Sequence, residues 1–339
     1  MTRYFFLFII PLLLIAGGCS RDTRQIDISA VKAPPLEVLR LEEDLFAINA
    51  ENLNDRTKQN LEKYGPFYEH YIMSFLNRGG TRDSLYRSSV LSFVGDRDVR
   101  EAYGCIKAAY PDSRLQEMMP GINDCVKRFK VCFPSKKLPA RLLTCSTGWN
   151  YAFAYMDSAL VIGLDMYLGD TSRFYKMLRY PYYQVRKMNA VNILPDLARG
   201  WLLTEFDNTD AQNILLNHTI FYGKLFYAVE SLLPGLDDSL IIGYTSKQMD
   251  YCKTYEKNLW GYFAEKNRLY ENSLDNVREL TSEGPFTGAI HKDCPPRIAM
   301  WVGWQIVRSY MDRNKNVTLE ELMNEKDAAK ILNKSKYRP

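Results

Sequence analysis

Between residues 129 and 163 the chain changes its repeat. Residues 129–133 (FKVCF), 140–145 (ARLLTC), 151–155 (YAFAY) and 159–163 (ALVIG) are short apolar or alternating runs. Pro134, Pro139, the Ser-Thr-Gly of 146–148 and Met156-Asp157 separate them. Runs this short, punctuated by turn residues, read as strands, and their spacing predicts a small antiparallel sheet of hairpins over about 129–163. Helical periodicity lies on either side. Residues 36–41 (LEVLRL) alternate like a short strand. Residues 41–77 carry helical patterns until Gly79-Gly80, and 90–109 and 115–130 read as further helices. Residues 165–169 read as a turn or short helix. From Tyr182 onward the long helical pieces are 188–206, 211–233, 246–270 and 296–313. Pro296 fits the first turn of the last of these. Thr318 with Glu321 three residues later reads as a capping box. The expected class is α+β, mainly α: a helical N-terminal part, the small sheet, then a helical C-terminal bundle.

The start of the chain is an address. Arg3 supplies a positive start, residues 5–15 are apolar apart from Pro11, and Ala16, Gly17 and Gly18 are small. This is the three-part pattern of a signal peptide. The apolar run is too short to cross ~30 Å of hydrocarbon as a helix. Cys19 follows at once, and small-small-Cys resembles a bacterial lipoprotein signal in which Cys19 becomes the lipidated first residue. The expected organisation is a signal at 1–18, a polar tether at 19–35 ending in Ala-Pro-Pro, and one domain over 36–339. Two or more acyl chains on Cys19 hold a protein on a membrane stably, where one does not. Six cysteines remain: Cys105, Cys125, Cys132, Cys145, Cys252 and Cys294. No CxxC pair occurs, so zinc-ribbon and thioredoxin readings fail. At most one disulfide is expected, the other cysteines being small core residues.

Charge excludes one partner class. Lys+Arg 44 against Asp+Glu 40 leaves a net +4 with no dense basic stripe, so no nucleic-acid footprint is expected. Three histidines, His70, His218 and His291, stand far apart and read as structural. No GxGxxG, Walker loop, GxSxG or HExxH is present. Asp157, Asp165 and Asp170 follow the sheet, where turn chemistry explains them without a cation. Glu230, late in an apolar helix, is expected to be paired. Met300, Trp304, Val307 and Met311 form one helix stripe, and Gly303 permits close approach of a neighbour. That stripe reads as packing. No cofactor or metal is expected beyond the lipid on Cys19.

Several pieces together resemble the gliding-motility lipoprotein GldB family of Bacteroidota. They are IleGlyLeuAspMetTyrLeuGly (162–169), TyrGlyLysLeuPheTyr (222–227), LeuLeuPro (232–234) and IleGlyTyrThr (242–245). GluLysAsnLeuTrp (256–260), GluGlyProPheThr (283–287), ProProArgIleAla (295–299), the Trp-rich 301–311 and SerLysTyrArgPro (335–339) follow. The motif residues are Gly163, Asp165, Gly169, Tyr222, Gly223, Lys224, Trp260, Pro296, Arg297, Gly303 and Trp304. The resemblance implies a membrane lipoprotein serving the motility apparatus, which is linked to type IX secretion.

The family is in turn distantly similar to zincin-type zinc peptidases, whose HExxH helix supplies two His ligands. Here residues 193–201 (ILPDLARGW) are the counterpart, with Pro195, Asp196 and Arg199 where HExxH would stand and Lys224 on the later helix. Zinc needs neutral His and carboxylate donors; Pro offers none, and Arg and Lys repel the ion. The expectation is a pseudo-peptidase: a non-catalytic envelope lipoprotein that binds or scaffolds other envelope proteins. It would sit on the cell or outer membrane with its domain facing the periplasm. The alternative is a metal-dependent peptidase with unconventional ligands among Asp196, His218, Glu230 and Glu256. A glycan reading rests on Trp149-Asn150-Tyr151, which pack in the sheet on the simpler view.

Overall fold

A computed structural model describes residues 26–207 and 213–339; Cys19 and the signal segment lie outside the described residues. One sheet contains β1 (Glu37–Arg40), β2 (Arg141–Cys145), β3 (Phe153–Met156) and β4 (Ala159–Gly163), in the order β1-β2-β4-β3. β3 and β4 form a hairpin with Phe153 opposite Ile162 and Met156 opposite Ala159. Asp157 and Ser158 both take positive φ, as a two-residue type I′ turn requires. The other two pairings, β1 with β2 and β2 with β4, are parallel. The sheet is therefore mixed, which corrects the antiparallel expectation. β3 lies outside β4, so the chain returns beside β2 running in the same direction. Close spacing in sequence established the hairpin and not which strand became its neighbour.

Residues 129–133 are a second correction. They end the helix α1 (Asp112–Cys132) and are not a strand. Ile122, Cys125, Val126, Phe129, Cys132 and Phe133 are all buried, a helical spacing that the short window FKVCF hides.

The sheet is covered on both faces. Leu142, Leu160 and Ile162 enter one core; Leu143, Cys145, Ala159 and Val161 enter the other. β4 is buried along its whole length, which is why it reads as an unbroken apolar run. The N-terminal helices supply one layer through Leu45, Tyr64, Phe67, Tyr71 and Val90. The other layer holds α1 and the C-terminal helices: α2 (Ile193–Glu205), α3 (Leu215–Leu232), α4 (Asp238–Ile242), α5 (Ile298–Arg313) and α6 (Ala328–Ser335). α3 and α5 are buried on nearly all sides and form the centre of this layer.

Element boundaries shift where caps intervene. The 90–109 stretch is two helices, Tyr86–Gly95 and Arg97–Ala109, because Asp96 caps the second by accepting from the Val99 N–H. The 246–270 stretch breaks into Ser246–Thr254, Glu256–Ala264 and a 3-10 turn at Glu265–Tyr270. Pro296 lies before α5 and not in its first turn, since Arg297 takes a left-handed backbone (φ 56°) at the N-cap. The Thr318–Glu321 capping box is formed. All six described cysteines are free; five are buried and Cys105 is exposed.

Candidate functional site

α4 is a five-residue helix whose last carbonyls have no intrahelical partner. Gly243 closes it in a left-handed conformation (φ 76°). Three arginines from distant segments supply the missing donors. Arg199 on α2 donates to the Ile241 carbonyl at 2.7 Å, Arg297 at the start of α5 to Ile242 at 2.8 Å, and Arg186 to Gly243 at 3.0 Å. Positive charge at a helix C-terminus is favoured by the peptide dipoles. Lys187 joins the group: a Cβ on Gly243 would lie 3.4 Å from its side chain, 3.6 Å from that of Arg297 and 3.7 Å from that of Arg199.

Two carboxylates sit among these four cations. Asp196 pairs with Arg199 one turn later and accepts from the Tyr167 hydroxyl at 2.9 Å. Glu283 places one oxygen 2.7 Å from Lys187 Nζ and 3.0 Å from Arg297 Nε. Burial pushes the Lys187 amine below its usual pKa, and neighbouring Arg297 adds to this while Glu283 opposes it. Burial likewise lowers Arg186. Burial raises the Glu283 carboxyl, but Arg297 and Lys187 outweigh it and hold it below the ordinary range. The balance stays positive. α5 adds to it, because its N-terminus has no side-chain cap and no acidic residue in its first turn.

A cleft of about 590 Å³ opens beside this cluster. Leu203, Tyr222, Leu225, Phe226, Ile242 and Met300 form its apolar lining, and Lys187, Arg199, Glu283 and Arg297 its charged lining. A smaller cavity of about 240 Å³ shares Lys187 and Glu283 and adds Tyr167, Tyr180 and Asp196. The larger volume suits a small ligand or a few side chains of a partner. His218 also lines it, 2.9 Å from Asn213 Oδ1, with its pKa lowered by burial, so the imidazole is neutral at pH 7. The arrangement offers guanidinium and ammonium donors beside an apolar wall, which is recognition chemistry for an anion carried by an apolar body.

The residues singled out in sequence divide. Asp196 and Arg199 belong to this site, and Pro195 is buried in the first turn of α2. Lys224 does not join them. Its Nζ donates to the Met323 and Glu325 carbonyls at 3.1 and 2.8 Å, where the Leu319–Asn324 helix ends. The four positions aligned with the zincin helices are therefore not one site. His218 lines the cleft, whereas Glu230 bonds Trp304 Nε1 and Arg308, and Glu256 accepts from Tyr337. Those carboxylates are engaged elsewhere. Among the described residues no group of three or more His, Cys, Asp or Glu is placed to hold a metal ion.

Asp157 sits in the hairpin turn and Asp170 is exposed. Asp165 is fully buried and accepts the Thr147 and Trp149 N–H groups at 2.9 and 2.7 Å. That bond orders the Trp149-Asn150-Tyr151 turn; Asn150 Nδ2 donates to the Phe75 carbonyl, and Tyr151 stacks on Phe75. Of the remaining motif residues, Tyr222 and Arg297 line the cleft. Gly163 ends β4, the Gly169 N–H donates to the Met188 carbonyl, Trp260 meets the Tyr337 ring, and the Pro296 carbonyl accepts from Tyr244. Gly223, Gly303 and Trp304 belong to the α3–α5 packing.

Sequence reasoning missed Arg186, Lys187 and Glu283 as site residues. The available signal was partial: the motif pieces at 242–245, 283–287 and 295–299 are the ones that converge here, but nothing local says that they meet.

The family described as gliding motility protein GldB matches the chain over residues 21–339. No curated protein and no solved structure matches the chain, so the likeness to zincin peptidases gains no support from them.

Proposed function

The chain belongs to the GldB family of gliding motility proteins, and from that premise we propose that it is a non-catalytic, lipid-anchored envelope component that binds other envelope proteins. The observation that carries this reading is how the charged residues in and beside the cleft are used. Asp196, Glu283, Arg199, Arg297 and Arg186 are engaged with one another and with the carbonyls at the end of α4. Thr281 donates to a backbone carbonyl. Groups held this way are oriented to bind a partner. The anchor is the lipid on Cys19, on the cell or outer membrane, with the domain facing the periplasm. No helix among the described residues is long and apolar enough to cross a membrane.

Two measurements test the proposal. Labelled palmitate is expected to enter the native protein and to be lost in Cys19→Ser. A photo-crosslinking amino acid in place of Tyr222 is expected to trap a discrete envelope protein in cells, and the same probe in place of exposed Glu51 is not. Equal adduct patterns from the two positions would remove the cleft from the proposal, and an unlabelled native protein would remove the anchor.

A further inference from the structure

Glu283 stands out within the cleft because one of its oxygens is held by two cations at once, Lys187 at 2.7 Å and Arg297 at 3.0 Å. It comes from the segment between the Leu274–Thr281 helix and α5, outside any helix or strand, and its side chain is 36% exposed. Arg199 and Arg297 keep guanidinium donors beyond those they give to Ile241 and Ile242, since each group carries five N–H. The apolar wall of Tyr222, Phe226 and Met300 begins beside these donors.

We propose that Glu283 is an internal stand-in for the cleft's ligand: the site receives an acidic side chain from a partner protein segment, flanked by apolar residues, and that carboxylate displaces Glu283 from Lys187 and Arg297. This rests on the reading of the cleft as a protein-binding site. Four cations face only two carboxylates, so an entering carboxylate meets a positive surplus and a planar fork that matches it. Leu203, Tyr222 and Phe226 take the flanking apolar side chains. A carboxylate is favoured over a phosphate dianion because Glu283 and Asp196 remain nearby, and two negative charges on one ligand group raise the repulsion from both. Displacement makes Glu283 a competitor that weakens binding and keeps Lys187 and Arg297 ion-paired when the cleft is vacant.

The experiment uses the soluble body, residues 20–339, and a fluorescein-labelled peptide Leu-Phe-Glu-Leu-Phe amide, with its Gln counterpart as control. Fluorescence anisotropy is expected to show the Glu peptide binding roughly tenfold more tightly than the Gln peptide, the order expected for one charge-assisted pair. Glu283→Gln is expected to tighten binding of the Glu peptide by about the same factor, because the internal competitor has gone. Arg297→Gln is expected to abolish the preference for Glu. A gain of affinity in Glu283→Gln cannot come from misfolding, so the inference survives even if Arg297→Gln fails to fold. Equal binding of both peptides, or no change in Glu283→Gln, overturns it. So does displacement of the peptide by millimolar inorganic phosphate with no preference for Glu. If the Tyr222 crosslink still traps an envelope protein while the peptides fail, the carboxylate inference is wrong and the binding reading stands.

Discussion

Gly223 and Gly303 meet where α3 crosses α5, and neither has room for a side chain: a Cβ on Gly223 would run into the Gly303 carbonyl, and one on Gly303 into the Thr219 carbonyl. The obstacle is backbone on both sides, which cannot swing away as a side chain can. Overpacking of this kind costs about 1–3 kcal/mol or more in a tight core. Gly303→Ala is expected to lower the unfolding free energy of the 20–339 body, read from urea denaturation, by that amount, and Gly104→Ala, where a Cβ meets nothing within 4 Å, to leave it unchanged or raise it slightly. A Gly303→Ala protein as stable as the native one would show that the helices separate without cost.

Asp165 is a structural carboxylate in a fully buried turn. Burial raises its pKa above that of a free carboxyl, against the lowering effect of the Thr147 and Trp149 N–H groups. The unfolded chain therefore releases this proton at lower pH than the folded one. Its contribution favours the fold below the unfolded value and falls as pH rises through the window between the two. Asp165→Asn removes this titration. The stability difference between native and variant is expected to change across that acidic window and to be flat above it. Asp165→Ala leaves two buried N–H donors unpaired and is expected to cost about 2–4 kcal/mol by chemical denaturation.

Lys224 is buried at the end of the Leu319–Asn324 helix, and burial lowers its pKa from 10.5 to about 8. Below pH 8 it is charged in both states and the burial cost is present in full. Between pH 8 and 10.5 the folded protein sheds the proton while the unfolded chain keeps it, so stability rises with pH. Relative to Lys224→Met, the native protein is expected to gain up to about 3 kcal/mol across that window. A constant difference between the two proteins from pH 7 to 10.5 would show that the amine titrates normally.

The cysteines separate by exposure. Cys125, Cys132 and Cys294 have thiols pushed up to about 12 by burial, whereas Cys105 is exposed. Ellman's reagent is expected to modify one thiol of the native 20–339 body quickly and the other five only after denaturation. Two or more fast thiols, or fewer than six in denaturant, would contradict this arrangement.

Much of the scaffold is legible in the amino-acid sequence. The β3–β4 hairpin, the short strand at β1, the capping box at Thr318 and the mainly helical C-terminal part follow from local chemistry: turn residues, alternation and caps. Gly303 was readable as a point of close approach because a glycine inside an aromatic-rich helix has few other uses. The errors were also local. FKVCF looked like a strand in a five-residue window, and only its continuation back to Ile122 reveals the helix. The zincin likeness places Lys224, on its later helix, beside Arg199, yet Lys224 bonds the Met323 and Glu325 carbonyls instead.

What the sequence by itself determined is the β3–β4 hairpin, the helix caps and the mainly helical character on either side of the sheet. It also determined membership of a family whose motif pieces lie scattered over the chain. What only the tertiary structure decided is which of those pieces meet. The parallel pairing of β2 with β4, the crossing at Gly223 and Gly303, and the gathering of Arg186, Lys187, Arg199 and Arg297 around Gly243 all join residues far apart along the chain. Turns and caps are settled by energies between near neighbours, so they are written in short windows. The charge cluster is settled by where two buried helices come to rest, because only then do the last carbonyls of α4 and the carboxylate of Glu283 find their donors.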